Sequence, residues 1–171
     1  MEDVSFVLIA MYLSLKHQED KIIMKPENED KMVKFNSFIG KWELEYNVPE
    51  SIFSKSDKGS GSGEFKRELN NKYVVFNYSS QLTGGKGSAH GIFAWDEKIS
   101  AYRYWWFEDS GSFMTATCNF ISENILFMNW ENSLLIQTFT VENPDKIFLS
   151  MEYPSSEGKY LPVLEVVLKR K

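Results

Sequence analysis

The sequence predicts an all-β protein, a single antiparallel up-and-down barrel of about ten strands with a short N-terminal helix. The hydrophobic period changes to two at Gly40, and short strand-like segments follow one another from there to the C-terminus. Short polar turns join these segments and leave no room for crossover helices, so the strands pair in sequence order. Closing such a sheet into a barrel removes its two unpaired edges.

The predicted helix lies directly before Gly40. Asn28 is a suitable N-cap, and Glu29 and Asp30 in the first turn suit the helix dipole. An apolar stripe at three- and four-residue spacing follows, formed by Met32, Phe35, Phe38 and Ile39. We therefore predict a helix that ends near Ile39, with Gly40 as its C′ residue.

The predicted strands follow from residue alternation and turn composition. In the first of them Trp42, Leu44 and Tyr46 share one face, while Glu43 and Glu45 share the other. Asn70-Asn71, Gly84-Gly85 and Asn143-Pro144-Asp145 are typical turns. The ten strands are predicted over residues 42–48, 63–69, 73–82, 87–96, 99–107, 112–120, 125–130, 133–141, 146–153 and 161–170.

Residues 54–63 are polar and rich in glycine, and they include Gly59-Ser60-Gly61-Ser62-Gly63. No Lys-Ser or Lys-Thr pair follows these glycines into a helix, so the segment is not a phosphate-binding loop. We predict a flexible linker between the first two strands.

The length of 171 residues fits one domain, which we place over 28–171 after an N-terminal extension, 1–27. The apolar run 4–15 is shorter than the roughly 20 residues of a membrane-spanning helix. Acidic residues precede it and no small-residue cleavage site follows, so export is the weaker alternative. The single Cys118 forms no intramolecular disulfide, and we expect a cytoplasmic protein with Cys118 as a buried, inert thiol.

Charge and residue content exclude several classes of function. The net charge is −5 and the basic residues are scattered, so the sequence lacks the clustered basic patch that is typical of nucleic-acid-binding proteins. With only His17 and His90, a metal site of three histidines is excluded. No nucleophile stands in a recognisable catalytic motif, and we assign no catalytic residue; a protein that is not an enzyme is the favoured interpretation.

The segment Phe35-x-x-Phe38-Ile39-Gly40-Lys41-Trp42 resembles the start of calycin barrels, the group of lipocalins and fatty-acid-binding proteins. It is most similar to a lipocalin-like family of mostly bacterial proteins, a domain of unknown function. Similar motifs continue through 63–74, 91–96, 102–106 and 164–171. The resemblance implies a barrel closed by a contact between Trp42 and a basic residue of the last strand, for which Arg170 is the counterpart.

Aromatic residues make up 15% of the chain, and a ten-stranded barrel has room for a small molecule. We therefore predict that the interior binds an apolar or amphipathic ligand. The candidate ligand-binding residues are Trp42, Tyr46, Phe65, Arg67, His90, Arg103 and Trp105.

Two arginines are the candidates for holding an anionic ligand group. Arg67 alternates with Phe65 and Arg103 with Trp105, and an inward guanidinium needs a partner. An ion pair with a glutamate or a solvated rim position is the alternative. Alternation leaves the inner face of the fourth and fifth strands open; in the fifth we prefer Arg103 and Trp105 over the neighbouring Tyr104 and Trp106.

Three further alternatives remain open. His90 would be the proximal ligand if the barrel held haem in the manner of nitrobindin, a related ten-stranded barrel; otherwise no cofactor is expected. A barrel filled by its own side chains would favour a structural or interaction role. Aromatic residues on both faces of 102–107 favour a homodimer.

Overall fold

The computed structural model describes residues 30–171, so the predicted extension and the helix cap at Asn28 lie outside the described residues. A 3-10 helix spans Lys31–Phe35. The ten strands are β1 (Gly40–Val48), β2 (Asp57–Glu68), β3 (Tyr73–Leu82), β4 (Gly85–Asp96), β5 (Ala101–Glu108), β6 (Phe113–Ser122), β7 (Ile125–Trp130), β8 (Ile136–Asn143), β9 (Lys146–Pro154) and β10 (Tyr160–Arg170).

The strands form a closed antiparallel barrel in sequence order, which confirms the predicted fold class. β1 pairs with β2 on one side and with β10 on the other, and Trp42 lies opposite Arg170 in the closing pair. Every strand is therefore paired on both sides, and the sheet has no unpaired edge. Among residues 30–171, no helix has both the length and the apolar character needed to cross a membrane.

The helix before the barrel is shorter and tighter than predicted. The amide of Asn36 donates to the Val33 carbonyl at 3.0 Å and that of Phe38 to the Phe35 carbonyl at 2.9 Å, both over three residues. A 3-10 helix has three residues per turn, so apolar residues spaced by three lie on one face. Gly40 does not end this helix; it begins β1 with a φ of +133°, a region that favours glycine.

The predicted linker over 54–63 is wrong, because Asp57–Glu68 is one continuous strand. Gly59, Gly61 and Gly63 occupy its inner face at every second position. A Cβ at Gly61 would lie 2.0 Å from the Ser79 carbonyl oxygen, so the missing side chains let β2 run close to β3. The alternation of glycine and serine is thus a strand pattern of period two.

The two ends of the barrel differ. At the closed end the segment 31–39 enters the barrel, and its Phe35 and Phe38 are fully buried. The ring of Phe35 lies 4.9 Å from that of Phe93, and the ring of Phe38 lies 5.5 Å from that of Phe65. The open end is formed by the connections 49–56, 83–84, 109–112, 131–135 and 155–159.

Arg170 joins the closed end to the barrel wall. Its guanidinium carbon lies 4.3 Å from the centroid of the Trp42 ring. Its Nη1 donates to the Ile39 carbonyl at 2.9 Å and its Nη2 to the Ser37 carbonyl at 3.0 Å. The Trp42 indole in turn donates to the Phe38 carbonyl at 2.7 Å. The contact that the calycin resemblance implies is therefore present, and it also anchors the segment that fills this end.

Candidate functional site

A cavity of about 260 Å³ lies in the half of the barrel next to the open end. This volume lies just below the range of ligand pockets, which starts at roughly 300 Å³. The aromatic walls of the cavity are formed by Tyr46, Phe76, Tyr78, Tyr104, Trp106, Trp130 and Phe139. Gln137 of β8, together with aliphatic side chains and methionines from β1, β6, β9, β10 and the β7–β8 connection, completes the lining.

The fifth strand turns the opposite face inward from the one that we predicted. Tyr104 and Trp106 line the cavity, whereas Arg103 and Trp105 lie on the outer wall. The register explains this orientation, since Tyr104 lies in one row with Phe93 and Ala116, both fully buried inside the barrel. Packing against neighbouring strands therefore decides which face is inside.

Arg103 belongs to an ion-pair network on the outer wall. Its Nη1 lies 2.5 Å from Glu131 Oε1 and its Nε lies 3.2 Å from Asp96 Oδ2. Thr115 donates its hydroxyl to the second oxygen of Glu131 at 2.6 Å. Hydrogen bonds from the Lys98 amide and from Arg103 lower the pKa of Asp96. These carboxylates hold the guanidinium on the surface.

Arg67 lies at the closed end. Its Nη2 donates to the Met32 carbonyl at 2.9 Å and to Asn36 Oδ1 at 2.8 Å, so it binds the segment that fills the barrel. The predicted pair of Arg67 and Arg103 around an anionic ligand group is therefore wrong, because neither arginine lines the cavity. Phe65 and Trp42 are fully buried at the closed end and do not line it either.

His90 is exposed on the outer wall, with its Nδ1 beside the Oδ1 of Asn77. Its neighbours Gly91 and Phe93 alternate with it and are buried. Strand alternation therefore directs the imidazole away from the interior, and a haem held inside the barrel by His90 is excluded. Across residues 30–171, no three His, Cys, Asp or Glu residues are grouped so as to hold a metal ion.

Tyr46 is the one predicted candidate that lines the cavity, and its hydroxyl lies 3.5 Å from the Ser79 carbonyl. Burial is the main cause that raises the pKa of Tyr46. Burial also raises the pKa of Tyr78 to about 12, against a hydrogen bond from the Trp106 indole that lowers it. The phenols are thus neutral at physiological pH, and none of the described lining residues has a charged side chain.

Cys118 is buried outside the cavity lining, as an inert thiol would be. Burial raises its pKa, so the sulfur stays protonated. Its Sγ donates to the Tyr102 carbonyl at 3.6 Å. The thiol is therefore part of the closed half of the core.

Sequence reasoning missed most of the polar lining, in particular Trp130 and Gln137. Gln137 and Trp130 are both buried, with 5% and 4% of their surface exposed. A signal was present for Gln137, because it alternates with the apolar Phe139 in β8 and so places an amide on an inner face. For Trp130, the alternation with Leu126 and Met128 carries the same information.

Comparison with known proteins bears on the fold. No family model and no curated protein matches the chain. Rv2717c from M. tuberculosis, a crystal structure, matches with a TM-score of 0.57 and 10% identity over 82% of this chain and 96% of that one. Its similarity supports the overall β-barrel fold.

Two further solved structures match less closely. The phycobiliprotein lyase CPES from Guillardia theta has a TM-score of 0.47 and 13% identity over 80% of this chain and 90% of that one. A de novo designed fluorescence-activating β-barrel has a TM-score of 0.41 and 13% identity over 79% of this chain and 94% of its own. At these identities the likeness concerns the overall fold alone.

Proposed function

We propose that this protein binds a small apolar or amphipathic molecule in the cavity of the open half and does not act on it chemically. The observation that carries the proposal is a ring-lined cavity of about 260 Å³ in a barrel whose other half is fully packed.

The lining explains why such a molecule would bind. Rings from β3, β5, β7 and β8 surround the space, and burying apolar surface against them is favourable by about 25 cal/mol per Å². The cavity walls also gain dispersion contacts with the bound molecule, which they lack while the space is unfilled. No described residue at the cavity is charged or arranged as a nucleophile with a base, so the site favours binding over catalysis.

The alternative of a filled, purely structural barrel describes only the closed half. Phe35 and Phe38 fill that half, while no segment among residues 30–171 fills the other. The homodimer expected from aromatic residues on both strand faces stays a prediction; Trp105 is the outward residue that would take part.

Titration with N-phenyl-1-naphthylamine, a neutral probe that becomes fluorescent in apolar sites, tests the proposal. We expect saturable binding by the natural protein. Leu164→Trp places an indole ring in the cavity, so we expect this variant to bind the probe at least tenfold more weakly. Val167→Trp is the matched control, because Val167 lies on the outer face of the same strand. Absence of binding to the natural protein, or equal binding by both variants, would contradict the proposal.

A further inference from the structure

The cavity wall contains polar groups that the protein itself does not satisfy. The Gln137 side chain lines the cavity and makes no hydrogen bond to a described residue, and the indole Nε1 of Trp130 is enclosed by the wall without a partner. Two other inward indoles are satisfied, since Trp42 donates to the Phe38 carbonyl at 2.7 Å and Trp106 donates to the Tyr78 hydroxyl at 2.6 Å. Trp106 shows that an indole of the cavity wall can be satisfied by the protein itself.

Such groups are costly to leave unpaired. A buried donor without a partner costs about 1–3 kcal/mol, and buried polar groups in native proteins nearly always have one. The indole of Trp95 also lacks a partner, but it lies outside the cavity lining. Gln137 therefore stands out as a polar group at the space that the proposed function assigns to a ligand, whereas Trp130 presents its ring there and has its Nε1 enclosed by the wall.

The two residues are placed to act on one molecule. Gln137 lies opposite Met128 in the β7–β8 pair, so it is a diagonal neighbour of Trp130 on the same inner face. The Trp130 ring lies edge-on to Tyr104 at 5.7 Å and to Trp106 at 6.2 Å. A flat molecule lying between these rings would thus meet the Gln137 amide at one side.

The chemistry of the groups limits the ligand. A glutamine amide both donates and accepts. No charged side chain among the described lining residues could pair with an ion, and an unpaired buried ion is prohibitively costly. The partner that fits is a neutral molecule with a hydrogen-bonding group, and a carbonyl-type oxygen would accept from the amide N–H.

Resting on the proposed function, we propose that the natural ligand is an uncharged, flat, ring-containing compound with a carbonyl-type oxygen. The Gln137 amide N–H donates to that oxygen, and the rings of Tyr104, Trp106 and Trp130 contact its apolar body. Gln137 is then the residue that determines specificity among the apolar rings of the cavity.

Two neutral naphthalene probes test this inference. Prodan carries a ketone oxygen, and N-phenyl-1-naphthylamine has no carbonyl. We expect Gln137→Leu, a substitution of similar shape, to weaken Prodan binding about five- to tenfold, as loss of one hydrogen bond predicts. Binding of N-phenyl-1-naphthylamine should change by less than about twofold under the same principle.

Gln137→Met provides a second variant, and Trp105→Phe on the outer wall is the control that should change neither probe. Thermal unfolding of each variant verifies that it folds. If neither probe binds the natural protein, the proposed function fails and this inference fails with it. If both probes bind but the Gln137 variants weaken them equally or not at all, the proposed function stands and the specificity assignment is wrong.

Discussion

The two halves of the barrel use the same kinds of residue for different purposes. In the closed half the Tyr102 hydroxyl donates to the Lys31 carbonyl at 2.6 Å and the Trp42 indole to that of Phe38, while the Trp95 indole beside Tyr102 has no hydrogen-bond partner in the described part of the chain. In the open half, Trp130 and Gln137 line a cavity that no segment among residues 30–171 fills. The residue types do not distinguish the halves; the segment 31–39 does, because it fills only one of them.

Packing should therefore contribute unequally to stability. Protein interiors are packed as tightly as organic crystals, so a side chain surrounded on all sides is costly to remove. A side chain that borders an existing cavity has fewer neighbours to lose. The comparison predicts that stability depends mainly on the closed half and ligand binding on the open half.

The largest expected effect comes from the residue that fills the closed end. Phe38→Ala should lower the free energy of unfolding by about 3–5 kcal/mol, as for other buried phenylalanines. Leu164→Ala at the cavity should cost about 1 kcal/mol or less, because part of its surface is already unpacked. Urea denaturation measures both, and similar losses at the two sites would remove the distinction between the halves.

The next effect concerns the clamp of Arg170. Arg170→Met removes the cation–π contact with Trp42 and the bonds to the Ile39 and Ser37 carbonyls, so we expect a loss of about 2 kcal/mol. Arg170→Lys should lose nearly as much, since an ammonium does not reproduce the planar set of donors. Arg103→Met is the control on the outer wall. Its partly exposed ion pairs should contribute about 1 kcal/mol or less.

Alkaline pH probes the wall of the open half. Because burial raises the pKa of Tyr78 from 10.0 to about 12, the unfolded chain loses this proton first. The contribution of Tyr78 is complete below pH 10 and is lost as the pH rises towards 12. Stability measured against pH should show this decline, and Tyr78→Phe should reduce it. A variant with the same alkaline decline as the natural protein would show that Tyr78 is not its source.

The smallest expected effect lies at the rim of the open end, where Asp57 begins β2. A hydrogen bond from the Thr83 hydroxyl, at 2.7 Å, and the amides of Lys58 and Thr83 lower the pKa of Asp57 below 3.8. This contribution is present above pH 3.8 and is lost as the pH falls through the lowered pKa. Asp57→Asn should flatten the acid side of the stability profile slightly while probe binding stays the same; an unchanged acid profile would contradict this role.

Residue alternation was enough to predict the barrel and the inward side of β1, where Trp42, Leu44 and Tyr46 alternate with charged residues. It was not enough for β5, since aromatic residues occupy both faces of that strand. In β5 the inner face follows from the register with β4 and β6. The outward position of Arg103 follows from its ion pairs with acidic residues elsewhere in the chain. Pairing between distant residues is not visible in local sequence.

The glycines of β2 show a second limit. Composition favours a linker, yet Gly61 must lack a side chain because the β3 backbone comes within 2.0 Å of where its Cβ would be. That requirement arises from the approach of two strands and not from local flexibility. The position of the cavity could not be predicted from local sequence either, since it depends on which end of the barrel the segment 31–39 fills.

The indole N–H signals in a ¹H–¹⁵N correlation spectrum test the central comparison most directly. The chain has five tryptophans, among them Trp130 at the cavity, Trp42 in the closed half and Trp105 on the outer wall. On titration with Prodan we expect the Trp130 signal to shift the most, while those of Trp42 and Trp105 stay in place. A shift at Trp42 or Trp105 with an unchanged Trp130 signal would contradict the assignment of binding to the open half.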